Sequence, residues 1–273
     1  MFVKVFFLGR PGSGKSTAAR FMVELARRRN YPALYIKDYD ILYQMFQEDH
    51  ACKQFRPADY GGFDVLDKTM FDTALKQLEK NVLALPCSEK VQLLAIEFAR
   101  DDYHTAFKLF SHGFLRDAYI FFVDADLTSC IKRIHKRVET PSEPDHHFVS
   151  DHIMQTYYNT DNWMYVSTSL KKEYPFFKEV VSIKNTESVS NLLASVNKFS
   201  DVVFQGEFSP SQQQVEQEEL NANPLVVISE EPSSGQSAQS ADIKNAVTLL
   251  PSSSTAYTQY TDEPRSGHVA LVR

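Results

Sequence analysis

The sequence predicts an α/β protein with three layers, helix on sheet on helix, around a five-stranded parallel sheet. Apolar runs of strand length alternate with helical patterns, and parallel strands need such crossover connections. The first run ends directly in a glycine-rich loop that a helical pattern follows. Composition changes near residue 205, so we expect a folded domain over 1–204 and a disordered C-terminal tail over 205–273.

Five apolar runs rich in Val, Ile and Phe supply the strands, and they are 2–8, 33–37, 91–98, 119–123 and 180–184. Helical spacing of apolar residues predicts the helices between them, over 15–29, 64–83, 126–138, 148–158 and 188–199. Beyond residue 205, Ser, Gln, Glu and Pro dominate and the periodicity is lost. The apolar islands 225–228 and 246–250 are candidate segments for binding a protein partner.

Charge and cysteine content exclude several classes of protein. Residues 1–200 hold 26 Lys and Arg against 25 Asp and Glu, whereas residues 201–273 hold 3 against 10. A near-neutral folded part lacks the basic field of a nucleic-acid binder, so nucleic acid is not an expected partner. No apolar run approaches the ~18–20 residues of a membrane span. Three widely spaced cysteines favour reduced thiols and a cytoplasmic location.

The glycine-rich loop reads GRPGSGKST and matches the pattern G-x-x-x-x-G-K-[ST]. Its glycines let the backbone curl so that successive N–H groups point at a phosphate, and the helix that follows adds its positive end. Lys15 is placed to bridge β- and γ-phosphates, and the Ser16 hydroxyl to bind Mg²⁺. We therefore expect ATP, or alternatively GTP, to bind with Mg²⁺ at Gly9, Arg10, Pro11, Gly12, Ser13, Gly14, Lys15, Ser16 and Thr17.

Two aspartates after the second strand are candidates for the acceptor side of a phosphoryl-transfer site. Asp38 and Asp40 lie two residues apart, so their side chains share a face if the extended conformation persists. We assign Asp38 a catalytic role, orienting or deprotonating an acceptor hydroxyl, and Asp40 a role in substrate binding. The alternative is that Asp40 only caps the helix that begins after it.

Further candidates lie after the third and fourth strands. Glu97 ends the third strand and is a candidate metal ligand, while Arg100 is placed to meet an anionic acceptor. For a lone Glu or Arg the alternative is an ordinary surface pair. Arg133 and Arg137 lie four residues apart on one helix and form a cationic row. Guanidinium groups there would stabilise the charge that develops on a transferring phosphoryl group, so we assign both a catalytic role.

These motifs resemble the P-loop kinases, most of all the adenylate and UMP/CMP kinase group, over about the first 200 residues. The loop is similar to that group's G-x-P-G-S-G-K, and I-E-F-A-R at 96–100 is similar to its D-G-F-P-R. Residues 133–137 resemble the group's R-x-x-x-R lid helix, and residues 180–186 its last strand and adenine-side loop. The resemblance implies an acceptor-binding insertion about 40–85 and a lid about 133–160.

The chain also departs from that group. Ser16 stands where adenylate kinases have Gly, and Ile96 stands where they have the strand-three Asp. The metal role is therefore open between Glu97 and Asp38. Tyr43 occupies the place of the Arg that grips a monophosphate. The Lys-Ser-Thr sequence and the D-x-D after the second strand are more similar to shikimate, gluconate and related small-molecule kinases.

The sequence thus predicts an ATP-dependent kinase that transfers the γ-phosphoryl group to a small acceptor, a nucleoside monophosphate or another small metabolite. Two alternatives remain open at this point. One is a nucleotide-binding switch or adaptor with weak hydrolysis, whose tail recruits partners. The other is a polynucleotide-end kinase, which the near-neutral folded part disfavours.

Overall fold

A computed structural model describes residues 2–86, 91–139, 147–186 and 188–208. Its strands are β1 Phe2–Leu8, β2 Ala33–Lys37, β3 Phe55–Pro57, β4 Phe63–Val65, β5 Gln92–Phe98, β6 Tyr119–Asp124 and β7 Glu179–Lys184. Its α-helices are α1 Lys15–Arg28, α2 Asp38–Glu48, α3 Thr69–Leu83, α4 Tyr103–Phe107, α5 His112–Leu115, α6 Leu127–Glu139, α7 Asp151–Thr156, α8 Leu170–Glu173 and α9 Val189–Glu207. A 3₁₀ turn covers Asp59–Gly61, and a π-helical turn covers Tyr165–Ser169.

The main sheet has the strand order β2-β5-β1-β6-β7, and every neighbouring pair is parallel. This confirms the predicted five-stranded parallel sheet. Strand β1 lies in the middle, so the loop after it opens at the centre of the sheet. In open parallel sheets, ligands bind outside the carboxyl ends of the strands. The fold therefore presents the loops after β1, β2, β5, β6 and β7 at one edge.

Both faces of the sheet are buried, which accounts for the nearly continuous apolar strands. Along β1, Val5 and Phe7 pack on one face with α1 and α9, while Phe6 and Leu8 pack on the other with α3 and α4. All four side chains are fully buried. Burial of this kind on both faces is expected of parallel sheets covered by crossover helices, and it gives the predicted three layers.

The structure differs from the prediction where a local pattern competes with a longer-range contact. The helix predicted over 64–83 begins only at Thr69, because Phe63–Val65 pairs antiparallel with Phe55–Pro57 in a small hairpin. This hairpin lies within the predicted insertion about 40–85 and buries Phe55 and Phe63.

The closing helix is longer than predicted. Helix α9 continues to Glu207, past the predicted start of the tail at 205, because Phe204 and Phe208 pack against Tyr31. The rest of the predicted tail, 209–273, lies outside the described residues, as does 140–146 of the predicted lid. Within the described part of the chain, no helix is long and apolar enough to span a membrane.

Candidate functional site

The glycine-rich loop joins β1 to α1 and needs glycine for geometric reasons. Gly9, Gly12 and Gly14 have φ angles of 143°, 81° and 107°, which L side chains rarely adopt. A Cβ atom would lie 2.5 Å from the Cys130 carbonyl oxygen at Gly12, and 2.6 Å from Asn185 Nδ2 at Gly14. The loop therefore has the curled, closely packed backbone that the sequence pattern predicts.

Side chains from three distant segments hold this loop in place. The Gly9 N–H donates to the Tyr103 hydroxyl over 2.7 Å, and Asn185 Nδ2 donates to the Ser13 carbonyl oxygen over 2.7 Å. Arg133 in turn donates to the Asn185 carbonyl oxygen over 2.9 Å. The loop is thus fixed before any ligand arrives, which lowers the entropic cost of binding one.

A first cavity of about 260 Å³ opens beside the loop and the start of α1. Its basic lining residues are Lys15, Arg20, Arg133 and Arg137, and no carboxylate is among the described residues that line it. The positive end of helix α1 faces the same space. Val189 and Leu192 form an apolar wall at one side. The cavity combines an anion site with an apolar surface, which are the parts that a nucleotide requires.

The two arginines of α6 reach the site as their spacing predicts. Arg133 also lies 3.4 Å from the carbonyl oxygens of Gly12 and Ser13, so its guanidinium group covers the loop. Arg137 donates to the His147 carbonyl oxygen over 2.6 Å and lines the same cavity.

Glu97, near the end of β5, is a carboxylate that lies beside the loop lysine. Its Oε1 atom lies 3.3 Å from Lys15 Nζ and accepts a hydrogen bond from Ser16 Oγ over 2.8 Å. The Tyr35 hydroxyl, on the neighbouring strand β2, donates to the other carboxylate oxygen. A hydroxyl and a carboxylate side by side are oxygen ligands that suit Mg²⁺, so Ser16 and Glu97 fit the predicted metal role.

A second cavity, of about 60 Å³, lies on the other side of Lys15 and Glu97. Its lining is mostly apolar and aromatic, with Asp38 and Glu97 as its carboxylates among the described residues; the rest are Pro11, Lys15, Tyr39, Leu42, Phe63, Val65, Phe71, Ala99, His147, Phe148, Val149, Ile153 and Tyr158. Lys15 lines both cavities. One ammonium group therefore marks the boundary between them.

Asp38 lies at the floor of the second cavity in a buried ion pair with Arg100. The residues are 6% and 3% exposed, and Arg100 also donates to the Phe71 carbonyl oxygen over 2.6 Å. Burial raises the pKa of the Asp38 carboxyl above its ordinary value, and Arg100 opposes that shift to a smaller extent. A raised pKa improves a carboxylate as a proton acceptor near neutral pH.

The prediction that Asp38 and Asp40 share a face is wrong. Helix α2 begins at Asp38 itself, so the extended conformation ends before the pair. Residues two positions apart on an α-helix are about 200° apart around its axis, so the Asp38 and Asp40 side chains diverge. The Asp40 side chain is 61% exposed, 3.4 Å from Lys37 Nζ. Asp40 is therefore placed away from both cavities, and its predicted substrate role has no geometric support.

The predicted role of Arg100 in meeting an anionic acceptor has little geometric support. Its guanidinium group is committed to Asp38 and to the carbonyl oxygens of Phe71 and Ala99. It lies 5.3 Å from the centre of the Phe71 ring, in a cation–π contact. Arg100 is a structural partner of the candidate base.

The ends of the predicted loop have different surroundings. The Arg10 side chain turns away from the first cavity and donates to the carbonyl oxygens of Tyr158, Ala125 and Thr160 over 2.8, 3.0 and 2.6 Å. Pro11 lines the second cavity rather than the first, whereas Thr17 lines the first. A phosphate contact of Arg10 would therefore come from its backbone N–H, whereas Pro11 has no backbone N–H to donate.

Among the residues that hold the site together, Tyr35, Tyr103 and Asn185 were not selected from the sequence. Asn185 falls within the segment 180–186 that the resemblance marked, so its position after a strand was a usable signal. Tyr35 carried no such signal, because a tyrosine in an apolar run is indistinguishable from a core residue. Tyr103 carried none either, since it lies in a polar stretch 94 positions along the chain from Gly9.

No family model and no curated protein matches the sequence. Among solved structures, the chain is similar to a gluconokinase from Sinorhizobium meliloti 1021 (12% identity, TM-score 0.40, covering 75% of this chain and 97% of that one). It is similar to a shikimate kinase from Acinetobacter baumannii (11%, 0.43, 77% and 97%). It is also similar to Kti12 from Chaetomium thermophilum (14%, 0.47, 74% and 99%). The likeness concerns the fold alone.

Proposed function

We propose that the protein is a phosphotransferase that moves the γ-phosphoryl group of ATP to a small acceptor. The observation that carries this proposal is the pair of cavities that share Lys15. One has a basic lining and a curled glycine loop, and the other contains a buried carboxylate. A simple nucleotide-binding switch needs the first cavity but has no use for the second.

Each described group has a task in such a transfer. Backbone N–H groups of Gly14, Lys15 and Ser16, at the positive end of helix α1, bind the donor phosphates, with Lys15 at the boundary where the phosphoryl group crosses. Arg133 and Arg137 stabilise the negative charge that develops during transfer. Asp38 accepts the proton of the acceptor hydroxyl, and Arg100 keeps its carboxylate in position.

Mg²⁺ would be held by the Ser16 hydroxyl and Glu97, and it would supply positive charge next to the phosphates. Lys15 and Tyr35 hold the Glu97 carboxylate from two sides. Asp38, the other candidate metal ligand, is buried against Arg100. This burial favours Glu97 as the metal ligand and Asp38 as the group that accepts the proton of the acceptor hydroxyl.

The direct test measures ADP release from ATP with a panel of alcohols, nucleotides and sugar acids. We expect little ADP without an acceptor and a large increase with the right one. Lys15→Ala should reduce turnover by about 10²–10³-fold, because it removes a positive group from the transition state. Arg27→Ala, at the exposed end of the same helix, is the matched control.

The other readings predict different results. Tight ATP binding with no transfer to any acceptor would identify a switch or adaptor. Transfer to oligonucleotide ends, lost steeply as salt is raised, would identify a polynucleotide kinase. No detectable binding of ATP or GTP with Mg²⁺ to folded protein would remove the proposal altogether.

A further inference from the structure

One wall of the second cavity is a short segment, residues 147–149, that we call the strap. The cavity has a volume of about 60 Å³, against about 260 Å³ for the first. One water needs about 10–15 Å³, so this space holds a few waters, whereas pockets for small metabolites begin at about 300 Å³. An acceptor can therefore enter only if part of the lining moves.

The strap is the part of this lining best suited to move. Residues 147–149 belong to no helix or strand, whereas most of the other lining residues lie in helices or strands. The His147 ring covers Tyr39, with centroids 3.5 Å apart and planes 13° apart. The Phe148 ring lies 5.5 Å from the ring of Tyr60, in the turn of the hairpin. These contacts join side chains, so an incoming acceptor can displace the strap without unfolding a helix or a strand.

An arginine links the strap to the first cavity. Arg137 Nη2 donates to the His147 carbonyl oxygen over 2.6 Å, and the Arg137 side chain lines the first cavity together with Lys15 and Arg133. A guanidinium group binds phosphate best through two parallel N–H groups. The hydrogen bond to the strap engages part of that donor set. The position of the strap thus decides how fully Arg137 can turn to a phosphate.

From these contacts we propose that the strap is an interlock, which holds Arg137 back until an acceptor displaces His147. Displacement takes the His147 carbonyl oxygen away from the guanidinium group. The group then turns to the transferring phosphoryl group and stabilises the charge that develops there. The inference rests on the proposed phosphotransfer and assigns a means of regulation to the same site.

The interlock limits a competing reaction, the hydrolysis of ATP. The second cavity has room for water beside Asp38, the candidate base, and water competes as a phosphoryl acceptor. In hydrolysis the water oxygen bonds to the γ-phosphorus, and the bond to the β,γ-bridging oxygen breaks with its electron pair leaving on ADP. The water proton passes to Asp38 and then to solvent, and phosphate is released. While the strap is closed, this reaction lacks the full contribution of Arg137 and stays slow.

Hydrolysis of ATP without an acceptor tests the interlock in the full-length protein with Mg²⁺. His147→Ala and Phe148→Ala each remove a ring contact that holds the strap. We expect either change to raise the rate of phosphate release about tenfold or more, because Arg137 is freed to stabilise the phosphoryl group. His152→Ala, on the exposed side of α7, is the matched control and should leave the rate unchanged.

Double variants assign the increase to Arg137. Adding Arg137→Gln to His147→Ala should abolish the increase, whereas adding Lys132→Ala, an exposed lysine of the same helix, should preserve it. Tyr60→Asn provides a further variant if the strap variants do not fold. It removes the ring that contacts Phe148 at a position that is 63% exposed, and asparagine tolerates the φ angle of 53° found there.

Two outcomes would overturn the interlock alone. One is unchanged hydrolysis in folded strap variants that bind ATP, and the other is an increase that survives the loss of Arg137. Either result leaves the proposed phosphotransfer intact, provided that the unaltered protein transfers phosphate to an acceptor. Failure of the unaltered protein to bind ATP would instead remove the proposed function, so calorimetry with ATP distinguishes the two failures.

Discussion

The two cavities on either side of Lys15 are built in opposite ways. The first takes its glycine loop from one contiguous stretch of chain and surrounds it with basic side chains. The second is formed by residues from several segments far apart in the sequence, and its walls are aromatic, aliphatic and acidic. The first is suited to a charged ligand that many proteins bind through backbone groups. The second has side-chain walls that are specific to this chain.

This difference has a practical consequence for mutagenesis. If the cavities hold different ligands, a change in the second should alter catalysis or acceptor KM and leave nucleotide affinity unchanged. A change in the first should alter nucleotide affinity, kcat or both, and should leave KM for the acceptor unchanged. Substitutions on the two sides of Lys15 therefore test whether the two cavities separate in this way.

Asp38→Asn should lower kcat by about 10²–10⁴-fold, because the amide cannot accept the acceptor proton. ATP affinity should stay the same, since Asp38 does not line the first cavity. Rates come from ADP release and affinities from calorimetry. Asp40→Asn, two positions along the same helix and exposed, is the control and should have almost no effect. Equal losses in the two variants would remove Asp38 as the base.

Removal of one member of the buried ion pair should destabilise the fold. Asp38→Ala leaves the Arg100 charge buried without its carboxylate, which costs about 3–5 kcal/mol in the free energy of unfolding. The double variant Asp38→Leu, Arg100→Met should recover most of that stability but not the activity. Denaturant unfolding of the three proteins measures this. A double variant as unstable as the single one would mean that the pair itself stabilises the fold.

Arg133→Ala should lower kcat by about 10²–10³-fold, because a guanidinium group beside the loop is lost. KM for ATP should change much less, since the loop backbone and Lys15 remain. Lys132→Ala, the exposed neighbour on the same helix, serves as the control. An unchanged kcat in Arg133→Ala would limit this residue to holding Asn185 and the loop.

Tyr35→Phe should have the smallest effect, because it removes one hydrogen bond to Glu97 and leaves its contacts with Lys15 and Ser16. A hydrogen bond to a charged group is worth about 1.5–3 kcal/mol, so the Mg²⁺ concentration for half-maximal activity should rise about tenfold or more. Tyr31→Phe removes a comparable hydroxyl contact with the Phe208 carbonyl oxygen, far from the cavities. A Mg²⁺ titration in which both variants behave alike would exclude the positioning role.

Features that depend on a few neighbouring residues could be predicted from the sequence, whereas contacts between distant segments could not. The parallel sheet, the loop and the arginine row follow from local patterns, since strand length, glycine spacing and the i, i+4 rule all act over a few residues. The prediction that Asp38 and Asp40 share a face failed, because it depended on the residue at which helix α2 starts. The Asp38–Arg100 pair was equally out of reach, because it joins residues 62 positions apart.

The hairpin at 55–65 is a further example of a contact that local periodicity concealed. The helix predicted over 64–83 includes residues 64 and 65, yet the backbone of Phe63–Val65 pairs with Phe55–Pro57 instead. Burial of Phe55 and Phe63 against the aromatic residues of α2 favours the hairpin. The wall of the acceptor cavity could therefore be described only once the tertiary contacts were known.

The Arg10 side chain sets a limit on how this chain can vary among relatives. It connects the residue after Gly9 to four carbonyl oxygens and to Asp124, 3.6 Å away. Substitutions at Tyr158 or Thr160 leave those backbone acceptors in place. An inserted or deleted residue between 151 and 160 would move them out of register. Across homologues, this stretch should therefore tolerate changes of residue type far better than changes of length.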